Sequence, residues 1–417
     1  MARAMKDSGI EWCKSIPVGW QVMRLKYVMD NYDSQRIPID AGKRNQEGDI
    51  LYDYYGASGV IDQIAGYTHV GRRILIGEDG ANLVLRNLPL VYIADGKYWV
   101  NNHAHILAPK HGWSLDYFAH QMECIDYFKY ITGSAQPKLS QSNLNSVNLI
   151  VPPLQDQELI ATYLNAKCGE IDALMADVQA QIETLEQYKR SVITEAVTKG
   201  LNPNVPMKDS GTAWIDTMPS HWALIPAKYM FHNSDLRRIG DDVLLTSSQK
   251  YGIISQTDYM ERENAKIVLA NQGIEDWKHV EPYDFVISLR SFQGGLEMSE
   301  ITGCITWHYV VLKASRAIVP KYYKWLFKSQ LYITALQRTC NFIRDGQDLR
   351  FSNFSKVPLP EPPIEEQQAI ASYLETKCAE IDAIIDGKRQ QLAVLEEYKK
   401  SIIFEYVTGK KEVPTNA

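Results

Sequence analysis

No two cysteines of this sequence stand in a CxxC spacing, and only six occur in 417 residues. Scattered so thinly, they indicate neither a disulfide framework nor a zinc site and read as small apolar groups. No stretch approaches the roughly 18 apolar residues of a membrane span. The opening "MARAMKDSGIEW" lacks the apolar core of a signal peptide, so a cytoplasmic location is expected. A phosphate loop of the form GxxxxGK[ST] is absent, since "VTGKK" at 407–411 lacks the first glycine. There is no GxGxxG dinucleotide fingerprint and no GxSxG nucleophile elbow. Nor is there an Asn- or Asp-Pro-Pro-aromatic tetrapeptide of the kind amino-methyltransferases use. The two Pro-Pro pairs precede Leu154 and Ile364 instead. "NNHAHI" sets His103 and His105 on one face of an expected strand, but no third ligand stands near, and a structural role is the better reading. These absences leave little room for catalysis or a metal centre.

An excess of positive charge is also missing. The formal net charge is −6 and the pI about 5.9, which speaks against a protein that coats nucleic acid non-specifically. A local basic face, or DNA binding inside a complex whose other subunits supply charge, stays open. With 45% apolar and 23% charged residues the chain is of ordinary globular composition, and its length calls for two to four domains.

What the sequence does contain is a duplication. Residues 152–198, beginning "PPLQDQELIATYL", align with 362–408, "PPIEEQQAIASYL", at a constant offset of 210, with roughly half the positions identical. "KDSGIEW" at 6–12 returns as "KDSGTAW" at 208–214, and Pro17 and Trp20 return as Pro219 and Trp222, all at an offset of 202. The chain therefore reads as a lead-in element (1–30), a variable module (31–151) and a long helix (152–206). A second lead-in (207–230), a second module (231–361) and a second helix (362–417) follow. Pro152, Pro153, Pro362 and Pro363 mark helix starts, and Gly200 with Pro203, then Gly409, mark the stops. Leu164, Ile171, Val178, Leu185 and Val192 recur every seven residues, with Cys168, Met175 and Ile182 beside them. The second copy offers Leu374, Ile381, Leu395 and Ile402 with Cys378, Ile385 and Leu392, interrupted by Lys388 where Val178 stood. This is a coiled-coil seam. A helix on the order of 65 Å needs a partner for such a seam, and the other copy in an antiparallel pair is the expected one. Packing of each helix on its own module is the alternative.

The modules read as mixed α/β. "RRILIG", "KYWVNNHAHILAP", "YDFVISLRSF" and "GCITWHYVVLKA" have strand content, and "LDYFAHQMECIDYFKYI" and "KYYKWLFKSQLYITAL" are helical. The expected fold is thus α/β in the mixed α+β sense: two globular modules of similar fold joined by two long helices in an antiparallel coiled coil, pseudo-twofold symmetric. Polar and basic residues gather on glycine-containing loops of both modules. The first offers Lys43, Arg44, Tyr55, Ser58, Arg72, Arg73, Lys97, Asn101, Asn102, His103, Gln136, Lys138 and Ser140. The second offers Ser247, Ser248, Lys250, Arg290, Ser291, Gln293, Arg344, Gln347 and Arg350. Asn and Gln can pair with adenine, Arg with guanine, and Ser or Lys with phosphate. Each alone reads better as an ordinary solvated side chain; the clustering favours nucleic-acid binding without assigning a base to a residue.

The doubled plan, with "KDSGIEW…IPVGW", "VPPLQDQELIATYL", "PEPPIEEQQAIASYL", "YGASGVID", "DGKYWVNNHAHIL", "VISLRSFQGGLEMS" and "GSAQPKLSQSNLNSVNLIVPP", resembles the DNA-specificity subunit of type I restriction-modification enzymes over essentially its whole length. The resemblance implies a subunit without catalysis or cofactor of its own. Its modules 31–151 and 231–361 would be target recognition domains, each reading half of a split double-stranded DNA target. Its helices would space them and dock two modification subunits, which methylate adenine-N6 with S-adenosylmethionine. Two restriction subunits would join, with ATP and Mg in the partners. A self-contained methyltransferase or nuclease, and a coiled-coil adaptor that binds no DNA, are the competing readings.

Overall fold

The computed structural model describes residues 3–44, 47, 50–133, 136–264, 273–288, 291–339 and 349–414. The chain divides into two units, Met1–Gln179 with Gln390–Ala417, and Ala180–Arg389, so each unit holds one module and a length of both long helices.

A small hairpin leads into each module, Met5–Ile10 with Cys13–Pro17 in the first unit and Met207–Asp209 with Thr217–Pro219 in the second. The repeated Asp-Ser-Gly builds its turn. Asp7 accepts from the Gly9 N–H at 2.9 Å and Asp209 from the Gly211 N–H at 2.8 Å. Ser8 and Ser210 accept from Ile10 and Thr212 and donate to the Cys13 and Ile215 carbonyls. The glycines take φ of +67° and +72°, where a side chain would be strained. The repeated tryptophans then tie the lead-in to the helices. Trp20 Nε1 donates to Asp156 at 3.0 Å, and Trp222 Nε1 donates to Glu366 at 2.9 Å. Both acids lie in the first turn of a long helix, where negative charge is favoured.

The two modules share a topology. In the first unit Met29–Asn31, Ala104–Pro109, Arg73–Gly77 and Val91–Ala94 lie side by side in that order, antiparallel. In the second, Phe231–Ser234, Val310–Ala314, Phe285–Ile287 and Glu297–Met298 repeat the order. A second layer matches as well. Tyr52–Gly56 turns back into Gly59–Ile64 and runs parallel to Lys97–Val100, which pairs with His69–Val70. Its counterparts are the hairpin Leu245–Ser248 with Gly252–Ser255, the ladder Lys278–Val280 with Gly303–Ile305, and a parallel bridge from Leu244 to Cys304. The aromatic helical stretches form Leu115–Cys124 in one unit, and Pro320–Lys328 and Gln330–Gln337 in the other. The chain then leaves each module along a strand, Asn148–Val151 or Pro358–Glu361, paired with the lead-in strand Gln21–Arg24 or Ala223–Pro226.

The long helices run Leu154–Lys199 and Ile364–Val407. Within each unit the start of one lies antiparallel to the end of the other, and their seam is continuous with the module core. Leu164, Cys168 and Ile171 share the first core with Ile402, Ile403 and Val407, while Val192, Ile193 and Val197 share the second with Leu374 and Cys378. Val178 and Ile381 are buried, Leu185 and Leu395 half-buried, and Lys388 is half-buried at the position equivalent to Val178. The same polar ties recur in both units. Tyr117 donates to the Val407 carbonyl at 2.9 Å, and Tyr322 to the Val197 carbonyl at 2.8 Å. Gln157 donates to Pro152 O and Gln367 to Pro362 O. Lys399 grips Asp172 at 2.6 and 2.7 Å, and Lys189 grips Asp382 at 2.7 and 2.6 Å, the same pair with the two copies exchanged.

Because these ion pairs are solvated, the apolar seam holds the helices. Lys399→Ala should cost only about 0–1 kcal/mol in urea unfolding. The units also differ beside the helix pair. Tyr406 packs on Tyr163, with ring centroids 4.6 Å apart, while Ala196 stands at the matching place beside a cavity of about 780 Å³ that Tyr188 and Tyr373 also line.

Candidate nucleic-acid interface

Strand direction gathers a set of loops at one end of each module. In the first unit Tyr52–Gly56 and Lys97–Val100 are parallel, so the turns that follow them, 57–58 and 101–103, leave at the same end. Ala104 pairs with Gly77, which brings residues 78–80 there too. Gly80 N–H donates to Pro137 O at 3.1 Å and Leu139 N–H to Glu78 O at 2.7 Å, adding residues 137–139. Ser58, Asn102, His103, Gln136 and Lys138 are exposed on this loop cluster. His103 Nδ1 lies 2.7 Å from Asp79, and Lys138 lies 3.1 Å from Glu78. Asn101 is buried, and its side-chain oxygen accepts from the His103 N–H at 2.8 Å, which shapes the turn. Ser140 caps the helix Gln141–Asn145.

Other predicted residues fall elsewhere. Arg72, Arg73 and Lys97 lie at the opposite end of the strands Arg73–Gly77 and Lys97–Val100. Arg72 binds Asp116 with two hydrogen bonds of 3.0 and 2.8 Å, which raise its pKa further. Arg73 lies over the Tyr32 ring and Lys97 over that of Tyr67. Arg44 pairs with Asp62 at 2.9 Å and lies over Tyr54. Tyr55 is half-buried edge-on to Tyr98, and burial, with Asp53 adding to it, pushes its hydroxyl pKa up. The side chain of Lys43 lies outside the described residues.

The second unit repeats the convergence. The turn 249–251 follows Leu245–Ser248, the turn 306–309 follows Gly303–Ile305, and the parallel Leu244–Cys304 bridge sets both at one end. Ile287 pairs with Val310, so the segment after Ile287 emerges there as well. A Cβ on Gly294 would come within 2.8 Å of the Gln249 amide, which shows how closely two of these loops meet. Lys250 and Gln293 are exposed on them. Lys250 pairs with Glu263 at 2.9 Å and lies over Tyr251. Ser247 and Ser248 are half-buried, and Ser248 Oγ accepts from the Lys250 and Tyr251 N–H groups. Ser291 is buried; its hydroxyl accepts from the Ser288 N–H at 2.9 Å and closes a turn instead of facing outward. Arg350 caps the helix Phe351–Phe354, the place that Ser140 takes in the first unit. Arg290, Arg344 and Gln347 lie outside the described residues.

Under the first loop cluster lies a network of charges. Arg36 Nη1 pairs with Glu78 and donates to Ala104 O at 3.0 Å and Asn102 O at 3.4 Å, which supports the turn 101–103 from below. His105, fully buried, points Nδ1 at Asp33 at 2.5 Å and Nε2 at Leu139 O at 2.8 Å. Burial alone would raise both carboxyl pKa values. The His105 contact on Asp33, and those of Arg36, His105 and Lys138 on Glu78, outweigh it, so both are held below the usual range. His103 and His105 therefore do not share a strand face. His103 belongs to a turn and His105 to the following strand, because the Asn101 side chain accepts from the His103 N–H and turns the chain there. Among the described residues no three His, Cys, Asp or Glu side chains gather to hold a metal. Burial pushes the thiols of Cys124 and Cys168 up to about 12 and about 11, far from a reactive thiolate.

A family model, the type I restriction modification DNA specificity domain, matches residues 17–184 and again 231–394. The chain belongs to this family. It is a specificity subunit with two DNA-recognition domains and a non-catalytic member of its system. Among curated relatives, the "Putative type I restriction enzyme MjaX specificity subunit" of Methanocaldococcus jannaschii is 23% identical over 384 residues, covering 88% of this chain and 79% of the relative. The MjaVIII specificity subunit of the same organism is 23% identical over 307 residues, covering 67% of this chain and 66% of the relative. A solved chain from work on the complex assembly and conformational transition of the type I R-M system superposes with a TM-score of 0.63 at 12% identity. That match covers 95% of this chain and 99% of that one, and it speaks for the fold. No helix among the described residues is long and apolar enough to cross a membrane.

In this specificity subunit the sequence reading passed over two parts of the loop clusters. The network of Asp33 and Arg36 with Glu78 and His105 joins three segments too far apart in the chain to suggest one another. The other is Trp307, 52% exposed in the turn 306–309 and stacked on His308 with ring centroids 3.5 Å apart. An apolar, aromatic turn inside "GCITWHYVVLKA" reads as a continuous strand, so only the Trp-His pair itself could have drawn notice.

Proposed function

We propose that this specificity subunit reads a split, asymmetric duplex target in the cytoplasm, one half through each module, on behalf of catalytic partners. Two modification subunits dock on the paired helices and methylate adenine-N6 with S-adenosylmethionine. Two restriction subunits join them and use ATP and Mg to move and cut DNA. The observation that carries this reading is one module topology built twice, with different loop residues, on the same pair of helices. A duplicated scaffold offers two related seats to two copies of a partner, whereas unlike loops can meet two unlike sequences. The cavity beside Ala196, where the first unit has Tyr406, makes the two seats unequal in detail.

The base-reading and phosphate contacts are assigned to the convergent loops. In the first module these are Ser58, Asn102, His103, Gln136 and Lys138. In the second they are Lys250 and Gln293, joined on sequence grounds by Arg290, Arg344 and Gln347. Arg72, Arg73 and Lys97, at the other end of the first module, are assigned no base. The test is co-expression with the modification subunit followed by mapping of methyladenine across a genome. Two constant half-sites with a fixed gap are expected; an unsplit target, or methylation by this chain alone, would overturn the reading. A one-heptad insertion in Leu154–Lys199 should change the accepted gap, and an unchanged gap would remove the helices from that role.

A further inference from the structure

We propose that Trp307 is a base-stacking wedge of the second module, and this rests on the DNA-recognition reading above. Large aromatic side chains are usually drawn into a core or an interface, yet this indole stands 52% exposed at the tip of a turn. The turn is well fixed at its base. It joins Gly303–Ile305, paired to Lys278–Val280, with Val310–Ala314, the strand next to Phe285–Ile287, and Tyr309 N–H donates to Thr306 O at 3.1 Å. Its first flanking strand is buried from Gly303 to Ile305, and Val311 and Leu312 are buried beyond it, so the exposed segment is the turn alone. His308 stacks on the indole at an interplanar angle of 28°, which keeps the ring from folding back onto the surface. A projecting, pre-ordered aromatic plane loses little conformational freedom on binding.

Position supports the same role. The turn lies where the first module carries Asn102 and His103, and at the same end as the Lys250 and Gln293 loops. The two modules thus present different chemistry from equivalent turns, a polar pair in one and an apolar plane in the other. A polar pair suits hydrogen bonding to base edges, and an exposed indole suits insertion at a base step or stacking on an unpaired base. The second module is accordingly the one that distorts its half of the target.

The test uses the full chain in complex with its modification subunits, on duplexes that carry the mapped target with 2-aminopurine placed in turn at each base of the second half-site. The wild-type complex should change the probe's fluorescence strongly at one step. Trp307→Ala should abolish that change and weaken binding about 10- to 100-fold, the loss expected for one stacked base. Trp307→Phe should restore most of both. Binding and fluorescence unaltered by Trp307→Ala would overturn the wedge while leaving recognition intact. Failure of the wild-type complex to prefer the mapped duplex over a scrambled one would instead overturn the recognition reading, and the wedge with it. An equal loss on mapped and scrambled duplexes, without any probe change, would also overturn it.

Discussion

Exchanging the first module for that of another specificity subunit should replace one half of the methylated sequence and leave the other half untouched. The structure says where to cut. Met29–Asn31 is an edge strand of the module sheet, paired with Ala104–Pro109, whereas Gln21–Arg24 pairs with Asn148–Val151 outside that sheet. Cuts at residues 25 and 147 keep both ladders whole. Cuts at 31 and 151 would divide both ladders between two parents, so side chains that pack across each would no longer come from one sequence. Leu25 and Val147 are themselves buried in the shared core, so small apolar adjustments there belong to the design. With the inner cuts, the hybrid should methylate a hybrid target and fall about 10³-fold or more on the original one, the ordinary margin of specific over non-specific binding. Methyladenine mapping of the hybrid checks this directly. An unchanged map would mean that the module does not read DNA.

The duplication made much of the scaffold legible in advance. Offsets of 210 and 202 picked out both long helices and both lead-in elements, and the heptads at Leu164, Ile171 and Val178 showed which helix face is covered. That worked because a seam and a glycine turn are local patterns, readable from spacing and residue type. The loop clusters are not local. Lys138 faces Glu78 and Arg36 reaches Asn102 only because strands far apart in sequence lie side by side. Counting basic residues therefore grouped Arg72, Arg73 and Lys97 with Lys138, although strand direction sends them to opposite ends. The turns at 101–103 and 306–309 were hidden for another reason. Both sit inside segments of strand-like apolar and aromatic content, and both turns are made by hydrogen bonds that composition does not announce.

Arg36→Ala should destabilise the first unit by about 1–3 kcal/mol, the usual cost of leaving buried polar groups without their partner. The half-buried arginine pairs with the buried Glu78, and it also satisfies the Asn102 and Ala104 carbonyls, so its loss undercuts the turn that carries Asn102 and His103. The pH dependence separates this from a simple packing defect. Asp33 and Glu78 have folded pKa values below their ordinary ones, so the stability they contribute is present above about pH 4 and is lost as pH falls through the folded values. In Arg36→Ala the burial of Glu78 is opposed by less positive charge, and its folded pKa moves up. Protonation then relieves the variant at a pH where it already begins to harm the wild type. The stability gap between the two proteins should therefore be widest near neutral pH and should narrow on acidification below about pH 5. Hydrogen exchange of the Ala104–Pro109 strand, measured for both proteins across that range, reads the gap in the unit concerned. A gap that stays constant with pH would assign Arg36 to packing and remove its charge from the account. A narrowing gap would show that the loops of the first module rest on a charge network that acid dismantles.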